Sequence, residues 1–507
     1  MLRSTIGRRS FSTTAPPPVL RVVVAGGGIA GCILASQLAK EPGIRVQVIE
    51  KRRKDALPPG LNLLLNHNGM SAIHDVDPSL AKAVRGRGHD IVGWSARMMT
   101  GRSLYEIPSA TAAGLADGDG VRARWDEVNA VVQQACWEHI EWGDAVQRYE
   151  YTSSGNGGNV SVKAILGTRD IECDLLIGSD GRYSAVREHM EGGELPPPRF
   201  GPPAISDFRI VAPEHELPSS LNPSLIEDML RVYNTPDASL IQPGGKYHHL
   251  VKGIDDEGFG ASCMAGLARC GVMRIRPPPT TGELGEGEQQ IGIWGNFRIP
   301  GGGALVPSIA KTSDGLAALF TPPEGEDALD DVGKLIFHML TERTDTLHWT
   351  RKQETTQRMV DGVGHVLLVG DSAGAIFPSL GQGANLAIED ACAAATVLRT
   401  FTKAAVDAGA TRVDVPSATS AIERLRLQRR SGVQAMSRDH ARHVAAFEGS
   451  EAALQAETKD WMGQEGGRFP VGTWRKRLKS LWRGWPKVKE VKAAVEGEAS
   501  ASAIATA

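Results

Sequence analysis

The apolar residues of this chain fall into short blocks whose period changes along the sequence. Val22-Val23-Val24-Ala25 is a continuous apolar run of strand length, and residues 29–40 then place Ile33, Leu34 and Leu38 on one helical face. Arg45-Val46-Gln47-Val48-Ile49 follows as a second strand, closed by Glu50. Asn68-Gly69-Met70 reads as a loop entering a helix that ends near Ile73. Residues 91–99 and 103–107 alternate around a turn at 100–102 and predict a hairpin. Residues 122–141 set Trp125, Val128, Val132 and Cys136 on one side and predict a helix, and 155–159 predicts a turn between strands. Two later apolar runs, 173–177 and 363–369, each lead into a glycine-bearing turn and a helix, the second helix spanning about 384–399.

Between 195 and 350 the pattern changes. Short apolar stretches at 205–211, 247–251, 273–275 and 291–299 are separated by Pro- and Gly-rich loops such as 277–289 and 322–331. Residues 403–416 read as a loop and 422–444 as a long basic helix carrying Leu425, Leu427, Val433 and Met436. These elements predict an α/β fold with a Rossmann-like parallel-sheet domain built from separated segments, 19–195 and 351–410. A sheet-rich second domain occupies 196–350, C-terminal helices 411–495, and a disordered Ala/Ser tail 496–507.

Composition narrows the picture in a few places. Net charge is −3 over 507 residues, which gives no whole-chain argument for nucleic acid. Residues 1–18 are the exception in character: Arg3, Arg8 and Arg9 are interleaved with Ser and Thr, and the first acid is Glu41. That composition predicts a mitochondrial leader, with cytoplasm as the alternative if the segment is only a basic tail. The 6 cysteines form no CxxC pair, and no metal-ligand cluster is visible; His248-His249 reads as strand alternation. Across 475–489 basic residues alternate with Leu478, Leu481, Trp482 and Trp485, a pattern shared by a helix packed on the protein and by one lying on an anionic membrane.

The chemistry gathers at the turns. Gly26-Gly27-Gly28-Ile29-Ala30-Gly31 lies between a strand and a helix, with an acid closing the next strand: the dinucleotide-binding arrangement in its required context. Gly26 suits the tight turn, Gly28 the approach of a pyrophosphate, and Gly31 close helix–strand packing. Glu50 stands where a carboxylate can hold a ribose, and the basic cluster that begins at Lys51 could reach the phosphates. The second turn reads Gly178-Ser179-Asp180-Gly181-Arg182-Tyr183-Ser184-Ala185-Val186-Arg187, with Ser184 and Arg187 one helical turn apart. The third runs from Gly370-Asp371-Ser372-Ala373-Gly374 through Pro378 to Gly381-Gln382-Gly383-Ala384-Asn385, where a helix N-terminus can stabilise negative charge.

Taken jointly, the three stretches resemble the single-component FAD-dependent aromatic monooxygenases, the para-hydroxybenzoate and salicylate hydroxylase-like family. The resemblance covers about residues 20–440 and is loose over the second domain. It implies that Gly26, Gly28, Ile29, Ala30 and Gly31 hold the FAD pyrophosphate and that Glu50 holds the adenosine ribose. It implies an FAD contact for Arg122, with Arg124 as fallback, and for Asp180, Gly181 and Arg187, the Asp180-Gly181 pair also serving NAD(P)H. Gly370 and Asp371 would meet the ribityl or ribose hydroxyls. Pro378 and Gly381 would lie beside the reactive part of the flavin, and Gln382, Gly383, Ala384 and Asn385 at its pyrimidine edge.

The implied reaction is hydroxylation of a small aromatic, phenolic substrate by dioxygen through a flavin hydroperoxide, with NAD(P)H as transient co-substrate. A reductase or oxidase on the same fold, without oxygen insertion, is the alternative. No substrate base can be chosen from the sequence. One departure stands out: the family carries histidine where this chain has Gly374, which suggests room for a bulkier substrate or a mobile loop. The leader and basic tail suggest quinone-pathway or secondary-metabolite chemistry.

Overall fold

The computed structural model describes residues 19–54, 62–90, 93–98, 103–108, 116, 118, 120–154, 159–200, 205–213, 247–251, 267–275, 290–298, 348–351, 353–446 and 472–507. The expected leader, the hairpin turn at 100–102 and the loops at 277–289 and 322–331 lie outside the described residues.

The chain opens with β1 (Leu20–Ala25), α1 (Ile29–Leu38) and β2 (Ile44–Glu50). β3 (Asn62–Leu65), α2 (His67–Val76), α3 (Pro78–Arg85) and β4 (Gly88–Asp90) lead to β5 (Gly93–Met98) and β6 (Ser103–Pro108). Then come β7 (Val121–Arg124), α4 (Trp125–Gln134), β8 (Ile140–Trp142), β9 (Val146–Ser154), β10 (Asn159–Leu166) and β11 (Asp170–Cys173). β12 (Leu175–Gly178) and α5 (Ala185–Met190) carry the second glycine turn between them. β13 (Arg199–Phe200), β14 (Ile205–Pro213), β15 (Tyr247–Val251), β16 (Leu267–Ile275), β17 (Gln290–Arg298), β18 (His348–Arg351) and β19 (Gln353–Glu354) follow. β20 (Val366–Leu368) returns the chain to α6 (Gly383–Asp407), α7 (Val415–Ala446), α8 (Gly472–Arg483) and α9 (Val488–Thr506).

The site is organised by a five-stranded sheet in the order β20-β12-β1-β2-β8. Every pairing in it is parallel. Val22, Val23 and Val24 are buried on both faces of β1, as a parallel sheet covered by helices requires. All of α1 is buried as well, because α6 and α4 cover the side turned away from the sheet. A helix apolar on one face only, as the sequence pattern suggested, would not fit between two layers. In register, Ala25 lies opposite Ile49 and Gly178, and Gly178 opposite Leu368. The turns after β1, β2, β12 and β20 therefore leave the same edge of the sheet, the carboxyl edge where α/β folds bind ligands.

A seven-stranded sheet, β18-β14-β17-β16-β15-β5-β6, contains the strands expected between 196 and 350. It also takes in the hairpin of residues 93–108, with β5 parallel to β15, so the second sheet draws on both halves of the chain.

Several local readings are corrected. Residues 122–141 are strand, helix and strand rather than one helix, and Asn68 lies inside α2. α6 continues to Asp407 and α7 begins at Val415, which leaves only a short connection where a loop over 403–416 was expected. The tail 496–507 is helical through Thr506: Val491, Val495, Ala499 and Ala503 recur every four residues, are buried, and face α6. Residues 475–489 turn their apolar side inward. Leu478, Leu481, Trp482 and Trp485 are all buried, and Trp485 Nε1 donates to Asp75 at 3.1 Å, so the side chains a membrane would take are used in packing. Among the described residues no helix is long and apolar enough to cross a membrane.

Candidate functional site

At the first turn the glycines divide the labour. Gly26 adopts φ +103°, and a Cβ there would lie 2.6 Å from Ser179 O. A Cβ on Gly31 would lie 2.1 Å from Gly26 O and 2.5 Å from Ser179 Oγ. Both positions are closed by backbone approach. Gly28 is different: its conformation is ordinary, and nothing lies within 4 Å of a Cβ built on it. It is the N-cap of α1, which has no side-chain cap, so the N–H groups of Ile29, Ala30 and Gly31 are available to an anion. Behind the turn, Gln133 Nε2 donates to Gly27 O at 2.9 Å and Ser179 Oγ donates to Ala25 O and Gly26 O, each at 2.8 Å.

Glu50, at the end of β2, is buried and accepts a hydrogen bond from Gly27 N at 2.6 Å. Its partner is Arg52, whose Nε donates to Glu50 Oε1 at 2.8 Å. Burial alone would raise the pKa of Glu50, but the bonds from Arg52 and Gly27 outweigh it and hold the carboxyl below its usual range. Lys51, expected in the site, is exposed; Arg52 is the member of the basic cluster that turns inward. Arg122 lies in β7 rather than at a helix start, and the N-cap of α4 is Arg124. Two residues apart on a strand, the two arginines project to one side, and both are buried. Arg124 makes a bidentate pair with Asp126, at 2.9 and 2.6 Å.

The second and third turns are joined. Asp180 Oδ2 accepts from Ala185 N at 2.8 Å, so its carboxylate caps the start of α5, and Ser184 Oγ accepts from Arg187 N at 3.0 Å. Ser372 Oγ accepts from Gly181 N at 2.9 Å and donates to Asp180 Oδ1 at 3.1 Å. Arg187, expected as a cofactor contact, is buried and donates to Thr356 Oγ1 at 3.0 Å and, more weakly, to Ser372 O at 3.4 Å. It braces the two turns and does not line an open face.

Between them sits Asp371. It is half-buried; its backbone carbonyl accepts from Gly374 N at 3.2 Å, while its carboxylate makes no hydrogen bond among the described residues. Burial raises its pKa, against the nearby charges of Arg182 and Arg430. Gly370 adopts φ +64°, Gly374 φ +151° and Gly381 φ +61°. The expectation that Gly374 makes room fails: a Cβ there would lie 2.5 Å from Gln357 Nε2 and 2.8 Å from Thr356 O.

Pro378 is exposed at the start of a short helical turn that ends at Gly381. Gln382 is the N-cap of α6 and offers no side-chain cap, and nothing lies within 4 Å of a Cβ on Gly383. Among the described residues the buried Gln382 Nε2 has no partner. Gly383 and Ala384 thus present backbone donors on the open side of α6. The Asn385 side chain is committed elsewhere: it accepts from Asn66 N at 2.8 Å and donates to Leu64 O and Gly381 O at 2.9 and 2.7 Å. It clamps the turn onto β3.

Sequence reading passed over what lies behind this loop. Glu389 and Asp390 of α6 are fully buried against Arg426, Arg429 and Arg430 of α7. Burial would raise the pKa of Glu389, yet Arg426 and Arg429 bring it down to about 2. Asn68 extends the network, donating to Glu389 Oε1 at 2.6 Å and to Gln382 Oε1 at 3.0 Å. The signal was available as the pair Glu389-Asp390 in the otherwise largely apolar stretch 386–398. Among the described residues no His, Cys, Asp or Glu cluster could hold a metal.

Two uncapped helix starts, an open Cβ position at each and, among the described residues, a carboxylate and a buried amide NH2 without partners lie along the carboxyl edge of the sheet, which fits a long dinucleotide carrying phosphates and hydroxyls. The fold and site define a flavoprotein of the Rossmann-like class. The family described as FAD binding domain matches residues 331–412, and that described as NAD(P)-binding Rossmann-like domain matches 24–55. Kynurenine 3-monooxygenase of Cytophaga hutchinsonii is 23% identical over 386 residues, 73% of this chain and 70% of that protein. Salicylate hydroxylase of Pseudomonas putida is 30% identical over 195 residues, 36% of this chain and 41% of that protein. Among solved structures, CtdE in complex with FAD and its substrate has a TM-score of 0.63 at 16% identity, covering 95% of this chain and 99% of that one. HpxO of Klebsiella pneumoniae, complexed with FAD and uric acid, has a TM-score of 0.60 at 17% identity, covering 95% and 98%. These matches support the single-component FAD-dependent aromatic monooxygenases as the family this chain resembles, with FAD as its cofactor.

Proposed function

We propose that this enzyme uses NAD(P)H and dioxygen to hydroxylate a small, electron-rich aromatic molecule of phenolic type. The observation that carries the reading is the convergence of the turns at 26–31, 180–181 and 370–385 on one sheet edge, two of them locked together by Ser372. Bound FAD would supply hydride uptake and dioxygen activation. The protein's part is to bind and orient. Gly26, Gly28, Ile29, Ala30 and Gly31 would hold the pyrophosphate at the start of α1. Glu50 would accept from the adenosine ribose and Asp371 from the ribityl chain. Gly383 and Ala384 would direct N–H groups at negative charge on the ring system. Pro378 and Gly381 would wall the reacting edge, where water must be kept out. Asp180 and Gly181 are proposed to serve chiefly by holding Ser372, and Arg122 or Arg124 by lying beside the cofactor. Kynurenine 3-monooxygenase and salicylate hydroxylase, by their names, act on small aromatics, which supports the substrate class.

The test is aerobic turnover of purified, yellow protein with NADH or NADPH and a panel of phenols under isotopically labelled dioxygen. One labelled oxygen in the product is the expected result. Cofactor oxidation that yields only hydrogen peroxide across the panel would move the assignment to an oxidase or reductase. For localisation we propose that residues 1–18 direct mitochondrial import, which a fluorescent fusion of that segment would show by its distribution.

A further inference from the structure

We propose that Arg430, held in place by Asp390, is a positioning residue for FAD: from behind, it fixes the loop that presents the Asp371 carboxylate. Arg430 lies on α7 and is 1% exposed. Its Nη2 donates to Gly370 O and to Gly374 O, each at 2.8 Å. Its Nε donates to Gln357 Oε1 at 2.7 Å, and Gln357 Nε2 in turn donates to Gly374 O at 3.2 Å. Its Nη1 pairs with Asp390 Oδ2, and that same oxygen accepts from Gly370 N at 3.0 Å. Gly370 is thus held by both its N–H and its carbonyl, and Gly374 by its carbonyl twice.

Asp371 sits between these anchors. The loop needs them, because Gly370 and Gly374 both hold positive φ and give the backbone little preference for this shape. A guanidinium can serve two carbonyls, an amide and a carboxylate at once because its donors are fixed in a plane; an ammonium cannot. A buried ion pair is weak evidence for net stability, since desolvation offsets much of the attraction. Its place beside the site is better explained by geometry.

The test compares Arg430→Lys, Arg430→Met and Asp390→Asn with the control Arg424→Ala, an exposed α7 residue paired with Glu498. Apoprotein is titrated with FAD, and the visible-region circular dichroism of the bound flavin is recorded beside far-ultraviolet spectra and urea midpoints. Arg430→Lys keeps the charge opposite Asp390, so it should fold; its FAD Kd should rise at least tenfold and the flavin dichroism should change. Arg430→Met and Asp390→Asn should do the same or more wherever they fold. Arg424→Ala should match the parent. Arg430→Lys with parental Kd and parental flavin dichroism would overturn the proposal, whatever its urea midpoint. An Arg430→Lys protein that loses stability in proportion but binds FAD normally would show a structural ion pair and nothing more, and would overturn it equally.

Discussion

Two glycines three residues apart in one motif should fail in opposite ways. In Gly31→Ala the new methyl would sit 2.1 Å from Gly26 O. That carbonyl is not free to retreat, because Gly26 N is bonded to Ile49 O at 2.8 Å, and β1 and β2 are paired along their length. Overpacking of this kind costs ~1–3 kcal/mol. The methyl would also lie 2.5 Å from Ser179 Oγ, which makes two hydrogen bonds, worth about 1 kcal/mol each. Alanine returns about 1 kcal/mol of helix propensity. The net expectation is a loss of roughly 2–4 kcal/mol.

In Gly28→Ala the methyl meets nothing, and the backbone already has a conformation open to alanine. A gain of ~0.4–1 kcal/mol from the unfolded chain opposes a similar loss at the N-cap. Apoprotein stability should stay within about 1 kcal/mol of the parent. FAD affinity should nevertheless fall at least tenfold, since the methyl takes the space the pyrophosphate needs. Urea midpoints of the apoproteins and fluorescence titration with FAD separate the two. Gly28→Ala with parental FAD affinity, or Gly31→Ala with parental stability, would refute the division.

Acid should expose the buried charge network. The pKa of Glu389 is held at about 2 against an ordinary 4.5, so its contribution is complete above 4.5 and is lost as pH falls towards 2. Over that span the stability change is roughly 3 kcal/mol, and Glu389→Gln should flatten that part of a urea-midpoint profile against pH. Deleting residues 488–507 uncovers α6 where Val491, Val495, Ala499 and Ala503 pack; by buried area the loss is at most about 6 kcal/mol, read as a lower urea midpoint and increased binding of a hydrophobic dye. Gly374→His, which installs the residue of the resembled family, should destabilise the protein, because its Cβ would meet Gln357 and Thr356 at positive φ; a parental urea midpoint would contradict this.

What could be read from the chain alone was what the backbone demands. Gly26 and Gly31 appear as glycine because a neighbouring carbonyl excludes anything larger, and that exclusion is written in residue identity and spacing. The parallel strands were legible for a related reason: only burial on both faces tolerates three successive valines in β1. Partners distant in sequence were not legible. The pairing of β5 with β15 joins segments about 150 residues apart, and neither carries a local mark of it. The apolar side of residues 475–489 has the same spacing whether it meets lipid or protein; only the tertiary neighbours, Asp75 among them, decide.

The loop at 370–374 resists sequence reading more deeply. A missing side chain invites the inference of space, yet space belongs to the neighbours: at Gly374 Gln357 has already taken it. A serine in the turn invites no inference, yet Ser372 bridges the second and third turns. On α7 the residues at helical spacing that face inward include arginines, so a hydrophobic period marks only part of the buried face and leaves Arg426 and Arg430 to be mistaken for solvated charge. Their carboxylate partners lie 36 and 40 residues earlier on α6. Two observations could have joined them from sequence: Glu389 and Asp390 interrupt the largely apolar stretch 386–398 of α6, and α7 carries Arg426 and Arg430 at four-residue spacing. Buried charges require opposite buried charges, so an acid pair inside a core helix is itself a search instruction for arginines on the next helix.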